Sequence, residues 1–200
     1  SIFYTSFPPR KPPQMFEYNL RENSATKRTS FPGMVIGISL HPSSDTILTT
    51  LTKDGNSELY LLDFSGNVSK RLTTNIDIDV SGSFSPDGKQ ALTGSRDKTA
   101  RLWSISGGPA LRTFAGHEDA IYSVAFSPDG TKVLTGSHDA SARLWSVSSR
   151  EVLATFNGGQ SPILAVAFFP DGTKLATGAD DGTIKVWPTA GGEALATWKN

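Results

Sequence analysis

The sequence predicts an all-β chain of four-stranded antiparallel blades, a β-propeller. Three observations carry that prediction: a repeat of 42 residues, period-two alternation of apolar residues within each unit, and no helical period of comparable length. The repeat comes first because it dictates the architecture. The segment Phe84-Ser-Pro-Asp-Gly88 returns as Phe126-Ser-Pro-Asp-Gly130 and as Phe168-Phe-Pro-Asp-Gly172. Trp103, Trp145 and Trp187 keep the same step, as do Asp97, Asp139 and Asp181, and the aromatics Phe114, Phe156 and Trp198. Looser copies lie upstream. Asp54 and Tyr60 stand six apart, as Asp97 and Trp103 do, and Leu40-His-Pro-Ser-Ser takes the place of Phe-Ser-Pro-Asp-Gly. Met15-Phe-Glu-Tyr-Asn-Leu20 matches Leu59-Tyr-Leu-Leu-Asp-Phe64 at a step of 44.

Within one unit, four strands follow in order: Tyr122 to Phe126, Lys132 to Gly136, Ser141 to Trp145, and Glu151 to Phe156. Ser-Pro-Asp-Gly joins the first two. Proline fixes φ at the second turn position and glycine, without a Cβ, closes the turn, which suits a tight hairpin. A sheet this small cannot bury both faces alone, so successive sheets must stack about an axis. The chain then divides into a partial blade over 1–30 and blades over 31–74, 75–115, 116–157 and 158–200, one propeller domain in all. It starts with Ile2-Phe-Tyr-Thr5, which aligns with second strands, and stops on an outermost strand at Trp198. That makes about four and three-quarter blades, with the innermost strand of the first blade missing. Two consequences are open: unpaired edges and bare blade faces that drive self-association, or a partner chain that completes a larger ring of about nine or ten blade equivalents.

The last three units, with Gly116-His117, Phe-Ser-Pro-Asp-Gly and Leu134-Thr-Gly-Ser-His-Asp-Ala-Ser-Ala-Arg-Leu-Trp145, resemble WD-repeat propeller blades over roughly 75–200. The resemblance implies a structural hydrogen-bond network of His117, Thr135, Asp139 and Trp145. Only this unit is complete. Asn75 and Gly159 stand where the neighbouring blades would need the histidine, and Ser104, Ser146 and Pro188 replace the aspartate that normally follows the tryptophan. The resemblance further implies partner docking on the loops entering each blade and the turns between second and third strands. Here these present Arg96, Glu118, Asp119, His138 and Asp180 as a candidate partner-binding rim.

Residues 1–74 read differently. Lys53-Asp-Gly-Asn-Ser-Glu-Leu-Tyr60, Asp63-Phe-Ser-Gly-Asn67 and Lys70-Arg-Leu-Thr73 resemble the propeller repeat of the TolB family, as does Ile2-Phe-Tyr-Thr-Ser6 with Glu17-Tyr18 and Lys27-Arg-Thr29. The two styles meet near Asn75 to Gly88. A natural hybrid and an engineered or recombined chimera of two parent propellers, or a fragment, would give the same pattern. The blade count also falls short of the roughly six implied by TolB-like repeats and the roughly seven implied by WD repeats.

Candidate chemistry is sparse. A histidine, an aspartate and a hydroxyl around His117 imitate a charge-relay triad, but a tryptophan N–H at the end of the chain marks a structural lock. His41 precedes Pro42 in a hairpin turn and His138 lies at a turn on the His117 end, so no two-histidine metal pair arises. Asp77 with Asp79, and Asp180 with Asp181, lack the longer ligand series of a calcium loop. No phosphate loop, nucleophile elbow or basic–aromatic stripe occurs. Phe7-Pro-Pro-Arg-Lys-Pro-Pro-Gln14 reads as an enlarged, stiffened loop between strands, with the alternative of a polyproline ligand for an aromatic groove.

Composition narrows the function classes. Nineteen basic against nineteen acidic residues give no long-range field, which disfavours nucleic acid and anionic membrane as partners. The longest apolar run, Ile163 to Phe169, is far short of a membrane span, so a soluble chain is expected. No cysteine is present, which removes disulfides and thiolate chemistry and leaves cytoplasmic and periplasmic locations both compatible. The N-terminus carries no signal pattern, although a removed leader would leave no trace. The reading is therefore a non-enzymatic propeller without cofactor, catalytic residues or metal. It is either a protein-interaction scaffold or an engineered or fragmentary propeller assembling through open edges as a homo-oligomer. The alternative is a propeller hydrolase or lyase with a central-channel site.

Overall fold

A computed structural model of the chain describes residues 2–6, 14–28, 35–53, 56–73 and 79–199, with 2–6, 35–36, 53, 56 and 79–80 described through their backbone alone. Nineteen strands and no helix occur among the described residues. They form five antiparallel meanders. The first sheet holds β1 (Ile2–Ser6), β2 (Gln14–Asn19) and β3 (Ser24–Lys27). The second holds β4 (Val35–Leu40), β5 (Thr46–Lys53), β6 (Asn56–Asp63) and β7 (Val68–Arg71). The third runs β8 (Asp79–Phe84), β9 (Gln90–Ser95), β10 (Thr99–Ser104) and β11 (Arg112–Ala115). The fourth runs β12 (Ile121–Phe126), β13 (Lys132–Ser137), β14 (Ser141–Ser146) and β15 (Val152–Asn157), and the fifth β16 (Ile163–Phe168), β17 (Lys174–Ala179), β18 (Ile184–Pro188) and β19 (Ala196–Trp198). These four-stranded sheets are propeller blades, and the strands of the fourth fall within a residue of the spans that alternation predicts.

The repeated turn explains the strand pairing. Between β8 and β9 the Gly88 amide donates to the Ser85 carbonyl at 2.9 Å, and Gly88 takes φ +71°, a conformation that disfavours any residue with a Cβ. The Asp87 carboxylate accepts the Ser85 hydroxyl at 2.6 Å and the Lys89 amide at 3.0 Å, so the side chain reinforces the backbone turn. The same turn recurs at Ser127 to Gly130. There the Ser127 hydroxyl and Thr131 amide hold the Asp129 carboxyl down to about 2. The first strand of each four-stranded sheet carries an irregularity at the same place, between Ile36 and Ile38, Asp79 and Ser81, Ile121 and Ser123, and Ile163 and Ala165. An extra residue there sharpens the local twist, a feature that alternation alone does not reveal.

The core lies between sheets. Leu92, Ala100, Leu102 and Phe114 of the third sheet pack on Ile121 and Trp145 of the fourth. One repeat later, Leu134, Ala142, Leu144 and Phe156 pack on Leu175 and Trp187 of the fifth. An aromatic pair closes each contact, Phe114 with Trp145 at 5.9 Å and Phe156 with Trp187 at 5.5 Å between ring centroids. Met15 likewise packs on Tyr60 and Leu62, and Leu59 on Phe84. Glycine lets the inner strands approach: a Cβ on Gly136 would lie 2.7 Å from Ile163 Cγ2 and 2.8 Å from Val166 Cγ1.

Candidate functional site

The loop entering the fourth blade is tied to the blade beneath it by a chain of side chains. The Trp145 Nε1–H donates to Thr135 Oγ1 at 2.9 Å, and Thr135 Oγ1 lies 2.7 Å from His117 Nε2. His117 Nδ1 lies 2.8 Å from Asp139 Oδ2. A neutral imidazole fits every partner: Nδ1–H donates to the carboxylate, and Nε2 accepts the threonine hydroxyl. Burial lowers the His117 pKa and outweighs the opposing pull of Asp139, in keeping with that neutral form. Burial alone would raise the Asp139 pKa. The Ser141 hydroxyl at 2.6 Å, the Glu118 amide at 3.0 Å and His117 together overcome it and hold Asp139 well below the ordinary carboxylate range.

The arrangement is unsuited to catalysis. Thr135 and the His117 ring are shut off from solvent, and the hydroxyl that would act as nucleophile already accepts a tryptophan N–H. The neighbouring blades keep shorter versions. Trp103 donates to Thr93 and Trp187 to Thr177, each at 3.0 Å. In the third blade Asp97 turns instead to Thr99 and Arg101, and in the fifth Asp181 accepts the Thr183 amide and pairs with Lys199 at 3.6 Å.

Above this network stand the rim residues. Arg96, His138 and Asp180 follow the second strands of successive blades and are all exposed. The His138 amide donates to the Ala120 carbonyl at 2.8 Å and the Asp180 amide to that of Pro162 at 2.9 Å, so each turn is bonded to the loop entering its own blade. His138 Nδ1 sits 3.0 Å from Asp119 Oδ2, with the Tyr122 ring 5.9 Å from the imidazole. The Ala120 amide and His138 lower the Asp119 pKa. Lys98 Nζ reaches across from the third blade to the Glu118 carbonyl at 2.8 Å. Glu118, Asp119 and His138 thus lie together on the loop and turn of the fourth blade with Lys98 beside them, and Arg96 and Asp180 hold places equivalent to His138 on the flanking blades. Beside the patch, a shallow depression of about 190 Å³ is lined by Glu118, Asp139, Ser141, Arg143, Thr155 and Asn157.

Several polar contacts escape sequence reasoning. In the second blade the buried Glu58 accepts Arg71 at 2.8 Å and the Thr73 hydroxyl at 2.5 Å, and in the first sheet Glu17 accepts Arg28 Nε at 2.8 Å. The two pairs are out of register at the step of 44, where Glu17 falls on Leu61 and Arg28 on Leu72, so the repeat gives no signal for either. His41 does more than occupy its turn: Nε2 lies 3.0 Å from the Gly88 carbonyl of the next blade, and the ring meets Phe84 edge-on at 5.0 Å. Among the described residues no group of three or more His, Asp or Glu is placed to hold a metal ion. Asn75, Asp77 and the Phe7 to Pro13 stretch lie outside the described residues, as does the Asp79 side chain.

Comparison with known proteins agrees with this architecture. The model of the TolB β-propeller domain matches residues 1–150, and that of the WD domain, G-β repeat, matches 150–188. The change of repeat style near Asn75 to Gly88 therefore falls inside the TolB match. Curated relatives include Protein TolB homolog of Chlorobium chlorochromatii, 46% identical over 57 residues, which is 27% of this chain and 13% of that protein. The corresponding protein of Chlorobium luteolum is 39% identical over 64 residues, 30% of this chain and 15% of the relative. Human WD repeat-containing protein 86 is 51% identical over 39 residues, 20% of this chain and 10% of the relative. The matched segments thus span no more than 15% of the length of these curated relatives. Propellers built from such repeats are commonly interaction scaffolds and generally non-enzymatic. With its match over three quarters of the sequence and a WD-type repeat following, the chain belongs to the TolB β-propeller family.

Proposed function

We propose that the chain is a non-enzymatic propeller that presents its blade-entering loops and adjoining turns as a docking face for another protein. The observation that carries this reading is that Glu118, Asp119 and His138 are exposed while the backbone beneath them is pinned by Asp139 and Ala120. A surface fixed before binding loses little conformational entropy on association, which favours recognition of a partner. The mixed charges of Arg96, Glu118, Asp119 and Asp180 around this face suit a polar partner and tune approach rates more than affinity.

The test compares three versions of the chain as bait in quantitative cross-linking: wild type, the rim variant Glu118→Lys with His138→Ala, and the opposite-face variant Asp171→Asn. A protein captured by wild type and by Asp171→Asn but lost from the rim variant supports the reading. Equal loss from both variants overturns it, as does a hydrolase or lyase activity abolished by one substitution lining the central channel.

A further inference from the structure

The outermost strand of each sheet leaves one backbone edge with no strand beside it, and all but one of these edges are blunted. β3 carries Lys27, β7 carries Lys70 and Arg71, β11 carries Arg112, and β19 is only three residues long. Charge and shortness defend an edge, since a bare one is a template for another strand. β15 has neither defence: it is six residues long and uncharged, with Val152 43% and Leu153 50% exposed. The loss traces to one repeat position. Lys70, Arg112, Ala154 and Ala196 are equivalent at 42-residue steps. Lys70 reaches the Ile105 carbonyl at 3.3 Å and Arg112 the Val147 carbonyl at 2.8 Å, each in the next blade, so alanine removes cation and tether together. β15 lies between the third and fifth sheets, and the fifth covers Phe156 on its face while leaving this edge open.

The ladder fixes which groups point outward. The Gly158 amide donates to the Ala140 carbonyl at 3.0 Å, and in the same register Ala142 pairs with Phe156 and Leu144 with Ala154. Bonded residues alternate along an antiparallel ladder, so the N–H and C=O groups of Ala154 and Phe156 turn to β14 and those of Thr155 and Asn157 turn to the open edge. Lys185 Nζ stands 3.5 Å from the Asn157 carbonyl, which centres the free run on Thr155, itself exposed.

We infer that β15 pairs antiparallel with β15 of a second copy of the chain, Thr155 opposite Thr155 across a two-fold axis, so that two blades join into one continuous sheet. Charge selects this occupant. A two-fold sets each residue near the axis against its own copy, so the basic residues of β3, β7 and β11 would meet like charge, whereas β15 meets none. The outward groups come into register when Thr155 faces itself, and opposed threonines are a favourable cross-strand pair. An edge of six residues falls below the roughly 1,200–2,000 Å² of a standard interface, so the association is weak and concentration-dependent. The contact uses no residue of the rim and stands apart from the docking face.

Sedimentation equilibrium and amide exchange over a wide concentration range test this on the wild-type chain, on Thr155→Lys, on Thr155→Glu and on an equimolar mixture of the two variants. Position 155 is exposed, and far-UV dichroism with melting curves checks that both variants fold. The wild-type mass is expected to rise from 21.4 kDa toward twice that value while the Thr155 amide becomes protected. Each variant alone shifts the association midpoint upward by about tenfold or more, and the mixture restores it, because lysine then faces glutamate. A wild type fixed at 21.4 kDa throughout overturns the inference. So does a rise in mass that leaves the Thr155 amide unprotected, or a mixture that associates no better than either variant alone.

Discussion

Replacing Thr135 by valine removes one oxygen and almost no volume, which isolates the polar contribution of the fourth-blade network. Thr135 Oγ1 takes the Trp145 N–H at 2.9 Å and lies 2.7 Å from His117 Nε2, so the substitution orphans two buried groups. The equivalent changes Thr93→Val and Thr177→Val orphan one group each, the N–H of Trp103 or Trp187. A buried donor or acceptor left without a partner costs about 1–3 kcal/mol. Thr135→Val is therefore expected to lose about 2–6 kcal/mol and the other two about 1–3 kcal/mol each. In a chain of this length a difference of that size separates the melting temperatures by several degrees, at about 2–4 °C per kcal/mol. Thermal unfolding followed by tryptophan fluorescence and by dichroism reads the three variants side by side. Equal losses in all three would refute the reasoning, because they would mean that the histidine end of the chain contributes nothing.

Other outcomes follow from the same geometry. His117 has a native pKa below its ordinary 6.5, so as pH falls below that value the unfolded state binds a proton before the native state does. Stability then declines by at most about 1.4 kcal/mol per pH unit for this one group. Below pH 3.8 Asp139 adds a second loss, since its native pKa is depressed; in urea titrations His117→Gln should flatten the first slope and weaken without abolishing the second, because the Ser141 hydroxyl and the Glu118 amide still hold the carboxylate. Gly136→Ala drives a methyl into Ile163 and Val166 and is expected to cost about 1–3 kcal/mol, while Gly178→Ala, which among the described residues meets Ala165 alone, stays within about 0.5 kcal/mol. Trp145→Phe should lower the melting temperature more than Trp187→Phe, because only the former disturbs a histidine-terminated chain. Far-UV dichroism should report β-structure with negligible helix.

The turns and strands were legible because their chemistry is local. Proline and glycine in Ser85 to Gly88 dictate a turn whatever surrounds them, and alternation locates β12 to β15 within a residue. The His117 network was legible only through the WD resemblance, since its members are 22 or more residues apart at the ends and meet only after the blade has folded. Contacts between blades were less accessible. His41 reads as an ordinary turn residue, and its bond to the Gly88 carbonyl depends on how two sheets stack. The Glu58–Arg71 bond was missed because a lone acid in a strand is usually solvated, and nothing local marks this one as buried. Alternation also assigns residues to two faces without saying which face the next sheet covers, so Ile184 and Trp198 look like core until their surroundings are known.

The proposed docking face is fixed before any partner arrives, and amide hydrogen exchange of the free chain measures that most directly. The Glu118 amide donates to Asp139 and the His138 amide to the Ala120 carbonyl, so both are expected to exchange slowly although their side chains are exposed. Exchange of both amides at the rate of an unfolded chain would contradict a preformed face.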